Sequence, residues 1–250
     1  MMKARQIETF MKTIKNETDF KKLKESKPVD AISTAIKLAY NDAKRTMTGI
    51  GAFSEKKEQA LSNLEALLRE YFTKDAPKSR NDFEDTHKKM CCVWTNEFSG
   101  DLAKYGKAQK IVNMAFKYLY CCDQKDEKYF TYCHMPRDSY ILEWFWRNIG
   151  SKSKEIKKSE IPSWSQMDLL QYKTIQDMIT KCAADKDTTA LELEFVVWPE
   201  IQLKLAAEAF LFALDDEMSA KEKSTIKAAS ITDNWKRIVE ELNSPNHTLL

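Results

Sequence analysis

The sequence predicts an all-α protein, folded as a compact bundle of about ten helices. Three observations lead to this fold class. Apolar residues recur with the spacing of an α-helix along most of the 250 residues. Only five glycines and six prolines punctuate the chain, which is few for a turn-rich β-protein. Hydrophobic residues make up 43% of the sequence, enough for a substantial core.

The predicted helices of the first half are separated by polar or glycine-containing segments. Asp30 is the expected N-cap of the second helix, and Gly49 and Gly51 break the chain after it. The helix from 109 to 120 has almost no polar face, which predicts that it is buried at the centre of the domain. The predicted spans are 4–15, 30–44, 54–73, 81–98 and 109–120.

In the second half, Asp138 begins a helix for which Gly150 is a plausible C-cap. Residues 189–198 alternate like a strand and stay ambiguous, while Pro199 is well placed to open a new helix. The predicted spans are 138–148, 162–184, 199–214 and 219–242. We expect a single domain over 1–250, with a division into lobes of about 30–150 and 160–242 around a central cleft as the alternative.

Charge leaves the class of partner open. The chain has 40 basic and 38 acidic residues, so its net charge is +2 and only a local basic cluster would indicate nucleic-acid binding. The sequence has no apolar run as long as a membrane span and no apolar signal segment at its start. We therefore expect no membrane partner and a cytoplasmic, nucleoid-associated location.

Several chemistries lack their sequence signatures. The glycine-rich phosphate loops of nucleotide hydrolases and dinucleotide-binding domains are absent, and the three histidines are scattered. The six cysteines include two vicinal pairs and no Cys-x-x-Cys, which is typical of buried thiols in a reducing compartment. A metal site at Cys121, Cys122, Cys133 and His134 is the weaker alternative. We expect no metal and no cofactor.

The most informative segment runs from residue 102 to residue 139. Gly106 leads into a helix that carries Lys110 in its first turn, and Asp138 begins another helix further along. A helix N-terminus can bind a phosphate and favours a neutral, nucleophilic lysine. A nearby carboxylate could stabilise a cation or move a proton. The alternative is structural: Lys110 extends from a core helix to solvent, and Asp138 is only an N-cap.

These residues resemble the signature of the helix–hairpin–helix DNA glycosylases. That signature is a hairpin Leu-Pro-Gly-Val-Gly-Arg-Lys-Thr-Ala-Asn, followed later by Pro-Val-Asp at a helix start. Gly106 matches the first hairpin glycine, Lys110 the catalytic lysine and Asn113 the asparagine, while residues 136–138 read Pro-Arg-Asp. Ala108 departs from the pattern at the second glycine, Tyr105 at the hairpin proline and Arg137 at the valine. The spacing is most similar to that of archaeal 8-oxoguanine DNA glycosylases.

The resemblance implies a helix–hairpin–helix element and a role for each matching residue. Lys110 would be the Schiff-base nucleophile, and Asp138 would assist departure of the base. The hairpin would hold a DNA phosphate beside the extruded nucleotide, with Gly106, Lys107, Ala108 and Lys104 as its DNA contacts. The basic residues Lys152, Lys154, Lys157 and Lys158 are further phosphate candidates, although such a run is more often a solvated face.

A glycosylase also needs a pocket that holds an extruded base between aromatic or apolar walls. Trp164, Asp168 and Tyr172 repeat every four residues, which would put two aromatic rings and an acceptor on one helical face. Trp144 is a further candidate wall. Glu192 and Glu194 beside Trp198 form a weaker version of the same pattern. For each aromatic residue the alternative is a place in the core.

The sequence therefore predicts a DNA glycosylase, with or without AP-lyase activity, acting as a monomer on double-stranded DNA. It would excise a damaged or modified base in DNA repair or in defence against modified phage DNA. The alternative is a non-catalytic helical module that binds DNA or a protein.

Overall fold

The computed structural model describes residues 2–154 and 156–217, and this part of the chain is all-α without any strand, as predicted. The helix predicted at 219–242 lies outside the described residues. The described helices are α1 (Met2–Met11), α2 (Glu17–Glu25), α3 (Pro28–Ala43), α4 (Ser54–Thr73), α5 (Arg80–Glu97), α6 (Tyr105–Tyr120), α7 (Ser139–Asn148), α8 (Leu169–Ala184) and α9 (Ala190–Glu217).

Three helices differ most from the prediction. The short helix α2 was not predicted, because its nine residues are mostly polar. Helix α8 begins at Leu169 and not near 162, because Asp168 accepts the Gln171 backbone N–H and caps the helix there. The ambiguous stretch 189–198 is helical, and Pro199 lies inside α9 and not at its start.

Helix α6 is the centre of the fold. All 16 of its residues are buried, as its lack of a polar face predicts. It packs along α3, which presents small and branched side chains to it and so allows a close approach of the two backbones. These buried α3 residues are Ala31, Ile32, Ala35, Ile36 and Ala39.

The apolar interior forms two clusters that meet at α9. The larger cluster contains most of α1–α6 together with Leu191 and Phe195. The smaller one is built from α7, α8 and the Leu193, Val197 and Ile201 face of α9. The sequence places α7 in the first lobe, whereas in the structure it packs against α9 in the smaller cluster.

Gly106 fixes the start of α6 against the segment that precedes α8. Its backbone N–H donates to the Met167 carbonyl oxygen at 3.0 Å. A Cβ atom at this position would lie 1.8 Å from the Trp164 carbonyl oxygen, so only glycine permits this approach. The contact ties α6 to the region that leads into α8.

Candidate active site

Lys110 and Asp138 meet, as the sequence predicts. Lys110 Nζ lies 3.2 Å from Asp138 Oδ2, and the side chains are only 7% and 10% exposed. Asp138 Oδ1 accepts the Ile141 backbone N–H at 3.0 Å, so the same carboxylate also caps α7. The indole N–H of Trp198 donates to Asp138 Oδ2 at 3.0 Å. The catalytic and capping interpretations of Asp138 are thus geometrically compatible.

The position of Lys110 in its helix differs from the prediction. Helix α6 begins at Tyr105, so Lys110 lies in its second turn and not in its first. The helix dipole acts mainly within the first turn. The Asp138 carboxylate, and not the helix terminus, is therefore the main electrostatic partner of this lysine.

Asp138 is held in its charged form. Burial by itself raises the pKa of this carboxyl group, but the Lys110 charge and the N–H groups of Ile141 and Trp198 outweigh it. The net result is a pKa below the usual aspartate value. Asp138 is consequently a carboxylate at neutral pH, able to accept a proton or face a positive charge.

The pair lies on the wall of a pocket of about 470 Å³ that is open to solvent. Side chains from α1, α3, α6, α7 and α9 line it. Its aromatic residues are Phe10, Tyr118, Tyr140 and Trp198, its carboxyl groups are Asp42, Asp138 and Glu194, and its cations are Lys15, Arg45, Lys110 and Lys117. Lys15 and Arg45 are exposed, so the mouth of the pocket is basic.

A second buried ion pair, Lys117–Glu194, lines the same pocket. Lys117 Nζ lies 2.5 Å from Glu194 Oε2, and the side chains are only 3% and 1% exposed. The ammonium also lies 3.8 Å from the ring centroid of Phe10 and 5.4 Å from that of Trp198. Burial raises the pKa of Glu194, although Lys117 opposes the shift. The environments of Asp138 and Glu194 thus move their pKa values in opposite directions.

The predicted DNA contacts at the start of α6 need a correction. Gly106, Lys107 and Ala108 are buried within the first helical turn, and their backbone N–H groups donate to the carbonyls of Met167 and Lys104. The Lys107 ammonium pairs with Asp101. A DNA phosphate cannot reach these three residues in this structure. Of the predicted set only Lys104 is exposed.

None of the four residues predicted to form the base pocket lines the pocket of Lys110. Trp164 lies in a short 3₁₀ turn packed on Gly106, so it does not share a helix face with Tyr172. Asp168 is the exposed N-cap of α8. Trp144 belongs to the smaller apolar cluster, and Tyr172 is buried in a separate polar network.

That network, which we call the His87–His134 network, joins α5, α6 and α8 inside the protein. His87 Nε2 donates to Asn113 Oδ1 at 2.8 Å, and Asn113 Nδ2 donates to the Tyr172 hydroxyl at 2.9 Å. The Tyr172 hydroxyl donates to His134 Nδ1 at 2.7 Å, and His134 Nε2 donates to Glu84 at 3.1 Å. Burial lowers the pKa of His87 to about 3 and also lowers that of His134. Both rings are therefore neutral at neutral pH.

Arg137, the residue before Asp138, is fully buried beside this network. Its guanidinium carbon lies 3.8 Å from the ring centroid of Tyr172. Nη2 donates to the Tyr172 carbonyl at 2.7 Å and to Gln176 Oε1 at 3.2 Å. Arg137 Nε has no hydrogen-bond partner within the described part of the chain. The side chain thus anchors the backbone that presents Asp138 to Lys110.

The described residues contain no group of three or more His, Cys, Asp or Glu side chains arranged to hold a metal ion. Cys121, Cys122 and Cys133 are buried thiols whose pKa values are raised by burial. No helix in 2–154 or 156–217 is both long and apolar enough to cross a membrane.

No protein-family model matches this chain, and no curated protein or solved structure is significantly similar to it. The geometry of the pocket is therefore the main evidence on function.

Proposed function

We propose that this protein is a DNA glycosylase that removes a modified or damaged base, with Lys110 as the nucleophile. The observation that carries the proposal is the Lys110–Asp138 pair, 3.2 Å apart on the wall of an open pocket. An amine and a carboxylate at this separation can both act at one sugar carbon, which is what excision by a lysine nucleophile requires.

The chemistry follows from the two groups. Lys110 loses a proton to water in the open pocket, and the neutral amine forms a bond to C1′ of the nucleotide while the C1′–N bond to the base breaks. The electron pair of that bond leaves with the base, which takes up a proton. The amine-bound sugar then opens: the C1′–O4′ bond breaks, O4′ receives a proton from the nitrogen, and a protonated imine remains on Lys110. Asp138 stabilises the positive charge that develops at C1′.

The pocket suits an extruded base. A volume of about 470 Å³ lies within the range of small-ligand sites. Trp198 and Tyr140, whose ring centroids are 6.2 Å apart, provide aromatic surface beside Asp138. Base-flipping enzymes typically hold their target against such rings. This surface replaces the one that the sequence places at Trp164 and Tyr172.

The path of the DNA must also differ from the one predicted. Because the start of α6 is buried, exposed cations elsewhere must contact the DNA phosphates. Lys15 and Arg45, which are exposed and line the pocket, are the candidates. A phosphate held there would position the target nucleotide above Lys110. The non-catalytic alternative, a module that only binds DNA or a protein, would use the same mouth without chemistry at Lys110.

Borohydride trapping tests the proposal, because it reduces the imine to a stable protein–DNA adduct. The probes are duplexes that each contain one uracil, hypoxanthine, 8-oxoguanine, 5-hydroxymethyluracil or 5-hydroxymethylcytosine. We expect an adduct with at least one duplex, mapped to Lys110 by mass spectrometry, and no adduct from Lys110→Met. Lys37→Met is the matched control, since Lys37 pairs with Asp19 outside the pocket.

Two results would overturn the proposal. One is a Lys110→Met protein that forms the adduct as well as the parental protein. The other is a parental protein that binds the duplexes and yet forms no adduct and releases no base, which would favour the non-catalytic module.

A further inference from the structure

The pocket has a buried ion pair at each of two places along α6. Lys110 and Lys117 are seven residues apart and therefore lie on the same face of the helix, two turns or about 10 Å from each other. Lys110 pairs with Asp138 and Lys117 pairs with Glu194. Both pairs line the same pocket.

Trp198 spans the distance between the two pairs. Its indole N–H donates to Asp138 Oδ2 at 3.0 Å, and its ring centroid lies 5.4 Å from Lys117 Nζ. A base stacked on this indole, with its sugar at Lys110, would turn its outer edge toward Lys117 and Glu194. This second pair therefore lies where the polar edge of the base would be.

We propose that the Lys117–Glu194 pair donates the proton that the departing base takes up. The inference rests on the proposed function and assigns a source for a proton which that mechanism requires. As the C1′–N bond breaks, its electron pair moves into the base, and an acceptor atom on the outer edge of the base takes the proton. The pair is left with one proton fewer, which it regains from water after the base has left.

The two carboxyl groups of the pocket suit different tasks. Asp138 has a lowered pKa and stays ionised, which suits it to face a cation. Burial raises the pKa of Glu194, although Lys117 opposes the shift, and Glu194 Oε2 lies 2.5 Å from Lys117 Nζ. Carboxyl groups whose environments separate their pKa values in one site typically divide into an acid and a stabilising anion.

A merely structural role is the competing explanation. A buried ion pair often stabilises a fold no better than apolar residues of similar size, so stability alone is a weak reason for this one. The Lys117 ammonium is also enclosed by the rings of Phe10, Phe195 and Trp198, which restricts its motion. These contacts thus fix the position of the ion pair at the pocket wall.

Two substrates separate the proposed step from the rest of the reaction. One is the modified-base duplex that the parental protein excises best. The other is a duplex with a preformed abasic site, from which no base has to leave. We expect Glu194→Gln to excise the base about 100-fold more slowly, the usual scale for losing one acid. It should still form the borohydride adduct with the abasic duplex at close to the parental rate.

Glu208→Gln is the matched control, since Glu208 pairs with Arg147 away from the pocket and should leave both rates unchanged. If Glu194→Gln does not fold because Lys117 is left buried without its partner, the double variant Lys117→Met/Glu194→Gln removes both charges. We expect that protein to lose excision and to retain abasic-site trapping. If neither variant folds, the pH dependence of the parental protein tests the inference. Its excision rate should fall at alkaline pH, whereas its rate of abasic-site trapping should not fall over the same pH range.

Excision at the parental rate by either folded variant overturns the inference, as does loss of abasic-site trapping together with excision. A fall of both rates over the same alkaline pH range would also overturn the inference. A parental protein that forms no adduct with either duplex would instead refute the proposed function, so the two failures are distinguishable.

Discussion

The pocket and the His87–His134 network lie on neighbouring faces of α6, and both contain buried polar side chains. Lys110, Met114 and Lys117 face the pocket, whereas Gln109 and Asn113 face the network. In the network, the histidine rings have pKa values lowered by burial and bind to neutral partners or to Glu84. In the pocket, charged pairs stand beside open space and carry carboxyl pKa values shifted in opposite directions.

Burial of polar residues does not by itself mark a catalytic site. The network satisfies its donors and acceptors inside the protein, which fixes the packing of α5, α6 and α8. The pocket instead leaves charged groups where a ligand can reach them. We therefore expect changes in the pocket to alter chemistry and changes in the network to alter stability.

Among these changes, we expect the loss of the Asp138 charge to have the greatest effect. Asn caps a helix as well as Asp, so Asp138→Asn should keep the cap of α7 and still bind DNA, but its melting temperature should fall because Lys110 loses its buried partner. Because the negative charge is lost, base excision should be slower by about 100-fold. Single-turnover excision and thermal melting measure the two properties. Excision at the parental rate would leave Asp138 as a cap only.

A smaller effect is expected at Tyr172. Its hydroxyl bonds to both Asn113 and His134, so Tyr172→Phe leaves those two buried groups short of a partner. The free energy of unfolding should fall by about 1–3 kcal/mol, as measured by urea denaturation. Adduct formation per folded molecule should not change. If the Tyr172→Phe protein had parental stability but formed little borohydride adduct, the network would contribute to catalysis.

A third prediction concerns pH. The pKa of His87 is about 3 in the folded protein and about 6.5 when unfolded. Between these values the unfolded chain binds the extra proton, so stability falls as the pH drops below 6.5, by about 1.4 kcal/mol per pH unit for this group. Denaturation between pH 4 and 6.5 should therefore show a shallower slope for His87→Gln than for the parental protein. An unchanged slope would mean that His87 is accessible to protons.

Local sequence patterns were enough to predict some features. The bounds of α4 and the burial of α6 follow from the spacing of apolar residues, and both are confirmed. The proximity of Lys110 and Asp138 could be predicted because a short signature ties the two positions together. The catalytic role of the pair stays a prediction.

The walls of the pocket could not be predicted, because they come from helices far apart in the chain. Phe10, Tyr140 and Trp198 share no periodicity, and only the packing of α1, α7 and α9 brings them together. The prediction that Trp164 and Tyr172 share one helical face is wrong. Their spacing fits one helix, but Asp168 starts that helix between them. The weaker candidate at Glu194 and Trp198 proved to lie in the pocket.

The pocket forms late in synthesis because of the enclosure of α6. Helices from both earlier and later parts of the chain cover its 16 residues, and α9 supplies Glu194 and Trp198. A growing chain therefore cannot assemble the pocket until α9 has been synthesised. Until then it exposes a long apolar helix, which is a hazard for aggregation. We expect chains truncated before α9 to be insoluble and inert, and not partially active.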